Sequence, residues 1–257
     1  MPTTFALKDV KAVILKEKPH FGNEKAYTLL IEGKGVVTAI LKNTLRQKRQ
    51  INLNICSLSA VTLQSNRDKY YIEDSIEIES FFGIRSDIEK LSLSEYLCDL
   101  SAELCAHKDN SEIFMSLLLN SFYILENNLT PPEALRRSFE LRLLSETGYM
   151  PNLLGCADCL SFKSPLYYFF PQKGEVYCEP CMALQCLSTH SFPEQPVLID
   201  HNVFNAMRHI VFSDPKKCYI KPLPKSTEEQ LGKAIDEFLS CHFEKKSVAL
   251  EYYKNLL

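Results

Sequence analysis

Short apolar runs punctuated by turn residues fill positions 5 to 80, whereas beyond position 83 apolar residues recur at helical spacing. In the first stretch, Val10 to Glu17, Ala26 to Glu32 and Gly35 to Lys42 are rich in Val, Ile, Leu and Thr. Residues 54–64 and 69–79 form two more such runs, separated by the turn signal Ser65-Asn66-Arg67-Asp68. Gly33 and Gly35 bracket Lys34 in a hairpin turn, and Asn43 to Gln50 read as a polar, basic loop. Five short strands in this span predict a small closed β-barrel of OB-fold type, an architecture whose faces and loops often bind nucleic acid.

Beyond it, Ser86 with Glu89 reads as a capping box, and Ile88, Leu91, Leu93, Tyr96, Leu97 and Leu100 supply the apolar face of a first helix. Residues 111–126 predict a second. Thr130-Pro131-Pro132-Glu133 opens a third, with Thr as N-cap and Pro at the first helical position, running to about Thr147 and stopping at Gly148. Residues 149–192 show no helical period. Helical patterning returns over Asp200 to Phe212, again from Ser226 to His242, and in a short tail at 247–256. The reading is an α+β protein: an OB-fold domain at 1–82, then an α-helical domain at 83–257 carrying an insert at 149–192.

Composition narrows the class. The 257 residues are 46% hydrophobic and 24% charged, ordinary for a globular chain and far from the composition of disorder. No apolar run approaches the roughly 18 residues of a membrane span. The opening MPTTFALKDVKAVIL lacks the basic and apolar regions of a secretory signal, so a soluble, cytoplasmic protein is expected. Net charge is −3, but residues 33–67 hold Lys34, Lys42, Arg46, Lys48, Arg49 and Arg67 with no Asp or Glu. That segment carries +6, leaving −9 elsewhere, as a polyanion-facing module on an acidic body would; a solvated loop with no partner is the plain alternative. Lys34, Lys42, Arg46, Lys48 and Arg49 are the candidate phosphate contacts. Tyr27, Tyr70 and Tyr71 lie on the predicted strands as base-stacking faces or, alternatively, as barrel packing.

Ten cysteines without a secretory signal point to metal or redox chemistry rather than disulfides. Cys156-Ala157-Asp158-Cys159 and Cys178-Glu179-Pro180-Cys181 are two C-x-x-C pairs with eighteen residues between them, a zinc-ribbon spacing. Each tight turn would aim two thiolates at one tetrahedral ion, with a hairpin returning the chain. Four thiolates leave no open coordination position, so the expected Zn2+ is structural. A thioredoxin-type dithiol would need a βαβ context, which the insert lacks. The remaining six cysteines read as small buried apolar side chains. His242-Phe243-Glu244 spells H-x-E, but a deaminase needs its cysteine pair downstream, and here the pairs lie upstream. Glycine-rich phosphate loops and a nucleophile elbow are missing, and no catalytic centre is expected.

Phe139-Glu140-Leu141-Arg142-Leu143-Leu144, then Gly148-Tyr149 and Pro151, then the two C-x-x-C pairs, form a series that resembles the central signature of the RecO family of bacterial recombination mediators. Phe81-Phe82-Gly83-Ile84-Arg85 and the ending Phe238-Leu239-Ser240-Cys241-His242 also fit, so the resemblance spans essentially the whole chain. The family's basic loop is often K-G-A-R-R-like; Lys42-Asn43-Thr44-Leu45-Arg46-Gln47-Lys48-Arg49 keeps the charge without the small residues. The resemblance implies a non-enzymatic, nucleoid-associated mediator that binds single- and double-stranded DNA and anneals complementary strands. Its implied partners are RecR, the C-terminal tail of the single-stranded-DNA-binding protein and, indirectly, RecA, which it helps load. A zinc-ribbon adaptor binding RNA or protein is the alternative from another class. An acidic, apolar tail needs cations beside a hydrophobic pocket; Arg136, Arg137, Phe139 and Arg142 on the third helix are the candidates, against a reading in which the apolar residues are core and the arginines a solvated face.

Overall fold

The apolar runs at the head of the chain become five strands: β1 (Ala6–Pro19), β2 (Lys25–Ile31), β3 (Gly35–Leu41), β4 (Leu58–Asn66) and β5 (Lys69–Glu79). The computed structural model describes residues 5–42, 51, 53–67, 69–106, 110–188, 195–243 and 247–256. β1 pairs antiparallel with β2 and, through its other edge, with β4; β2 pairs with β3 and β4 with β5. A short parallel pairing, Ala39 to Tyr70 and Ile40 to Tyr71, closes the sheet in the order β1-β2-β3-β5-β4. β1 serves two partners because it is fourteen residues long and shifts register at Leu7/Val10 and Ile14/Lys16, with Asp9 at φ 50° in the first irregularity. Ala12, Ile14, Tyr27, Leu29, Ile31, Ala39, Leu53, Val61, Leu63 and Ile72 fill the interior.

Alternation fails at Ala12-Val13-Ile14-Leu15, where four consecutive side chains are buried. Ala12 and Ile14 belong to the barrel interior, so Val13 and Leu15 face outward and need cover. After α1 (Phe82–Arg85), which packs on the two helices that follow, it comes from α2 (Ile88–Leu104) and α3 (Ser111–Glu126): α2 lies against β1 and β2, and α3 against β2. Lys16 of β1 reaches Asp99 at 3.1 Å and Glu103 at 3.3 Å on α2. The first compact unit is therefore Met1–Asn128 with Ser247–Leu257, not a barrel ending at residue 82. A strand apolar on both faces takes helices into its own core. Asp87, not Ser86, caps α2, its carboxylate accepting from the Glu89 and Lys90 amides at 3.0 and 3.2 Å.

The second unit, Leu129–Lys246, opens with α4 (Pro132–Leu144) and a widened turn at Ser145–Tyr149, where Gly148 at φ 101° ends the helix as expected. β6 (Leu166–Phe170), β7 (Glu175–Cys178), α5 (Glu179–Ser188), β8 (Val197–Asp200), α6 (His201–Phe212) and α7 (Lys225–His242) follow. β6 lies between β7 and β8 in an antiparallel sheet. Tyr167 stacks on Phe204 of α6 at 4.2 Å between ring centres, and Phe169 lies 5.7 Å from Phe238 of α7. The insert expected at 149–192 therefore shares one core with the flanking helices and contains a helix, α5, that its sequence pattern did not show. α8 (Val248–Leu256) returns to the first unit and packs on α2, with Tyr253 buried. Among the described residues no helix is long and apolar enough to cross a membrane.

Candidate metal centre and nucleic-acid interface

The two C-x-x-C pairs meet. Cys156 and Cys159 sit on a tight turn before β6, Cys178 ends β7, and Cys181 lies in the first turn of α5. The β6–β7 hairpin supplies the return that the eighteen-residue spacing required. The four Sγ atoms all lie within 4.8 Å of one another, with Cys159 and Cys178 at 3.6 Å. Four sulfurs around a tetrahedral ion with about 2.3 Å bonds stand about 3.8 Å apart, so the set fits a metal ion. The first turn is held by its backbone: Leu160 N donates to Cys156 O at 2.9 Å, Cys156 N to Ser161 O at 2.9 Å, and Ala157 N to Val176 O at 2.8 Å. Gly155 is required there, because a Cβ would stand 2.4 Å from Leu160 O.

The thiols do not share one environment. Burial alone would raise the Cys156 thiol, but amide donors of Cys159, Cys178 and Asp158 bring it down to about 7. Burial pushes Cys178 up, reinforced by its bonds to Cys156 and Cys159, and hydrogen bonding to Cys159 and Cys178 pushes Cys181 up as well. One thiolate is favoured and its neighbours resist a second negative charge, the situation a cation relieves. Of the other cysteines, Cys56, Cys98, Cys105 and Cys218 are buried as expected, whereas Cys241 is exposed; the side chain of Cys186 lies outside the described residues.

On the barrel the candidate cations separate. Lys34 sits in the β2–β3 turn, over the rings of Tyr70 at 5.1 Å and Phe5 at 5.8 Å. Lys42 follows the far end of β3, seven residues beyond Gly35 and thus roughly 20 Å along the strand, with its ammonium 4.0 Å from the centre of the Tyr71 ring. Arg46, Lys48 and Arg49 lie outside the described residues. Tyr27 is barrel core and Tyr70 packs against that core, which leaves Tyr71 as the candidate stacking ring among the three. Burial pushes the Tyr27 hydroxyl well up, and its bond to Glu17 adds to the shift.

The surface expected on α4 is not presented. Every residue from Ala134 to Leu144 is buried, with Arg136 at 1% exposure and Phe139 at 0%. Arg136 pairs with Glu133 and donates to Glu140 at 2.7 Å. Arg137 donates to Glu140 at 3.2 Å and to the two oxygens of Asp236 on α7 at 2.5 and 2.8 Å. Arg142 donates to Ile210 O, Val211 O and Ser213 O at 3.1, 2.6 and 2.7 Å, closing the carboxyl end of α6, and pairs with Glu146. Neither the tail-binding reading nor the solvated-face reading survives for these side chains: interior carboxylates and carbonyls occupy the guanidinium groups, and Phe139 is core.

Sequence reasoning also passed over Phe21. It occupies the β1–β2 turn at 89% exposure. The available signal was its setting, an aromatic residue inside His20-Phe21-Gly22-Asn23, where no strand or helix offers it a core.

A family model described as "Recombination protein O C terminal" matches residues 85–251. The DNA repair protein RecO of Acetivibrio thermocellus is 25% identical over 246 residues, covering 95% of each chain. That of Clostridium kluyveri is 24% identical, covering 98% of this chain and 95% of its own, and that of Symbiobacterium thermophilum 23%, covering 98% of both. The matched span takes in α4, the turn at Gly148 and all four cysteines of the cluster, and on these grounds the chain belongs to the recombination protein O family.

Proposed function

We propose that this chain is a non-catalytic, DNA-binding mediator of recombinational repair. Its closed five-stranded sheet acts as an OB-type barrel that binds single- and double-stranded DNA and promotes annealing of complementary strands. Cys156, Cys159, Cys178 and Cys181 hold one structural Zn2+ in a zinc-ribbon-like element; the ion would supply fold stability there, since four thiolates complete its coordination. The proposed partners are RecR, the tail of the single-stranded-DNA-binding protein and, indirectly, RecA, at a cytoplasmic, nucleoid-associated location. The tail would dock away from the buried arginines of α4.

The observation that carries the reading is the family match over residues 85–251, joined to a barrel whose Lys42 belongs to an acid-free stretch of sequence. The test is binding of labelled single- and double-stranded oligonucleotides at two salt concentrations, comparing the wild type with an Arg46→Glu, Lys48→Glu variant. Binding should weaken for all sequences, and the salt slope should fall by about 0.7 to 0.9 per lost phosphate contact. Unchanged affinity in the variant would move the interface off this segment. Absence of binding by the wild type would end the reading.

A further inference from the structure

We propose that Phe21 is a base-stacking residue that makes the barrel favour single-stranded over double-stranded DNA, an inference resting on the DNA-binding reading above. Phe21 has the largest exposure of any large apolar residue described, 89%, so it serves no core. Its turn is nonetheless ordered by backbone bonds: His20 N donates to Glu24 O at 2.9 Å and Glu24 N to Phe21 O at 3.3 Å. Gly22, at φ 65°, makes the reversal with open space around it. A strand pair thus holds a bare aromatic ring out into solvent, where an apolar side chain gains nothing from folding.

Register decides what stands beside it. Pro19 pairs with Lys25, and Lys25 with Leu41, so the β1–β2 turn lies at the end of the sheet where β3 finishes and Lys42 begins. Ile40 pairs with Tyr71, whose ring lies under the Lys42 ammonium at 4.0 Å. This end of the sheet therefore combines a bare ring with a ring already carrying a cation. Lys34 belongs to the opposite end.

Those groups match the chemistry of a nucleotide in an unpaired strand: a π-face for the base and an ammonium for the phosphate. In a duplex both faces of each base are already stacked on neighbours, so a protein ring has nothing to cover. The ring therefore adds affinity for single strands alone.

The experiment uses the full chain and fluorescence anisotropy with a labelled single-stranded oligonucleotide, its duplex, and an abasic single strand of equal charge. Phe21→Ala should weaken single-strand binding about tenfold, leave duplex binding within about twofold, and be rescued by Phe21→Tyr. The wild type should bind the abasic strand at least as weakly as Phe21→Ala binds the normal one, and Phe21→Ala should weaken abasic binding no further. Because the side chain is solvent-exposed, the variants should melt as the wild type does. Equal single-strand affinity for Phe21→Ala and wild type overturns the inference; if Arg46→Glu, Lys48→Glu still weakens binding in the same assay, the DNA-binding reading stands without it. An equal loss on duplex and single strand also overturns it. A wild type that binds neither form overturns both.

Discussion

Glu140→Gln changes one atom type in the most deeply buried charge cluster of the second unit. Glu140 is 0% exposed and accepts from Arg136 at 2.7 Å and Arg137 at 3.2 Å. Each such contact, at an effective dielectric near 20, is worth about 5 kcal/mol of attraction. Neutralising the carboxylate also removes its burial penalty of several kcal/mol, which leaves a net loss of about 3 to 5 kcal/mol. Glu133 and Asp236 remain for the two arginines, but both are partly exposed and bind them less strongly. The expected outcome is a fall on the order of 10 °C in the thermal transition of this unit. The pH dependence follows from Glu133: burial opposes its ionisation, but the bond and charge of Arg136 and the charge of Arg137 hold its carboxyl below the usual range. Its contribution is therefore fully present above about pH 4.5 and is lost as pH falls through the lowered value, a window that the Arg136→Met chain should narrow, with Arg137 still beside the carboxylate. Calorimetry and circular dichroism on the full chain decide the matter. A loss below about 1 kcal/mol for Glu140→Gln would mean that the attraction only offsets the burial cost, and the cluster would then not be a source of stability.

Two further substitutions address the same unit. Arg142→Ala strands the carbonyls of Ile210, Val211 and Ser213, with an expected cost of about 2 to 4 kcal/mol by denaturant unfolding; a cost within experimental error would mean that water satisfies the end of α6 equally well. Gly155→Ala puts a methyl group 2.4 Å from Leu160 O, so it should lower the metal content of purified protein and destabilise the unit by about 1 to 3 kcal/mol; full metal occupancy with an unchanged melting temperature would refute the claimed close approach.

What could be read from the chain depends on where each element finds its partner. The strands were visible because Val, Ile and Thr runs end at turns that their own residues specify, and α3 appeared over the predicted 111–126 because its apolar period is local. The cysteine cluster was visible because spacing alone constrains a hairpin that brings two pairs to one point. The unit boundary was not, since whether α2 covers the barrel or joins later helices is a tertiary choice. One local sign of it existed: the uninterrupted Ala12-Val13-Ile14-Leu15, apolar on both faces of a strand. The α4 arginines misled for a related reason. Cations read as surface when considered singly, but Glu133, Arg136, Arg137 and Glu140 stand three and four apart, so that a helix can pair them with one another in its interior.

A common principle runs through the second unit: groups too polar to be buried alone are buried as sets. Two arginines share three carboxylates, Arg142 answers three carbonyls at once, and four thiols stand where one ion can hold them. Each set leaves its members little free valence, so residues whose types suggest binding are here occupied in holding helices, sheet and hairpin together. The barrel shows the opposite economy. Its core is apolar, and Lys42 over Tyr71 and the bare ring of Phe21 are held at one end of the sheet without an internal task. Chemistry left unsatisfied by the fold is the chemistry available to a ligand, and the barrel leaves it at that end of the sheet.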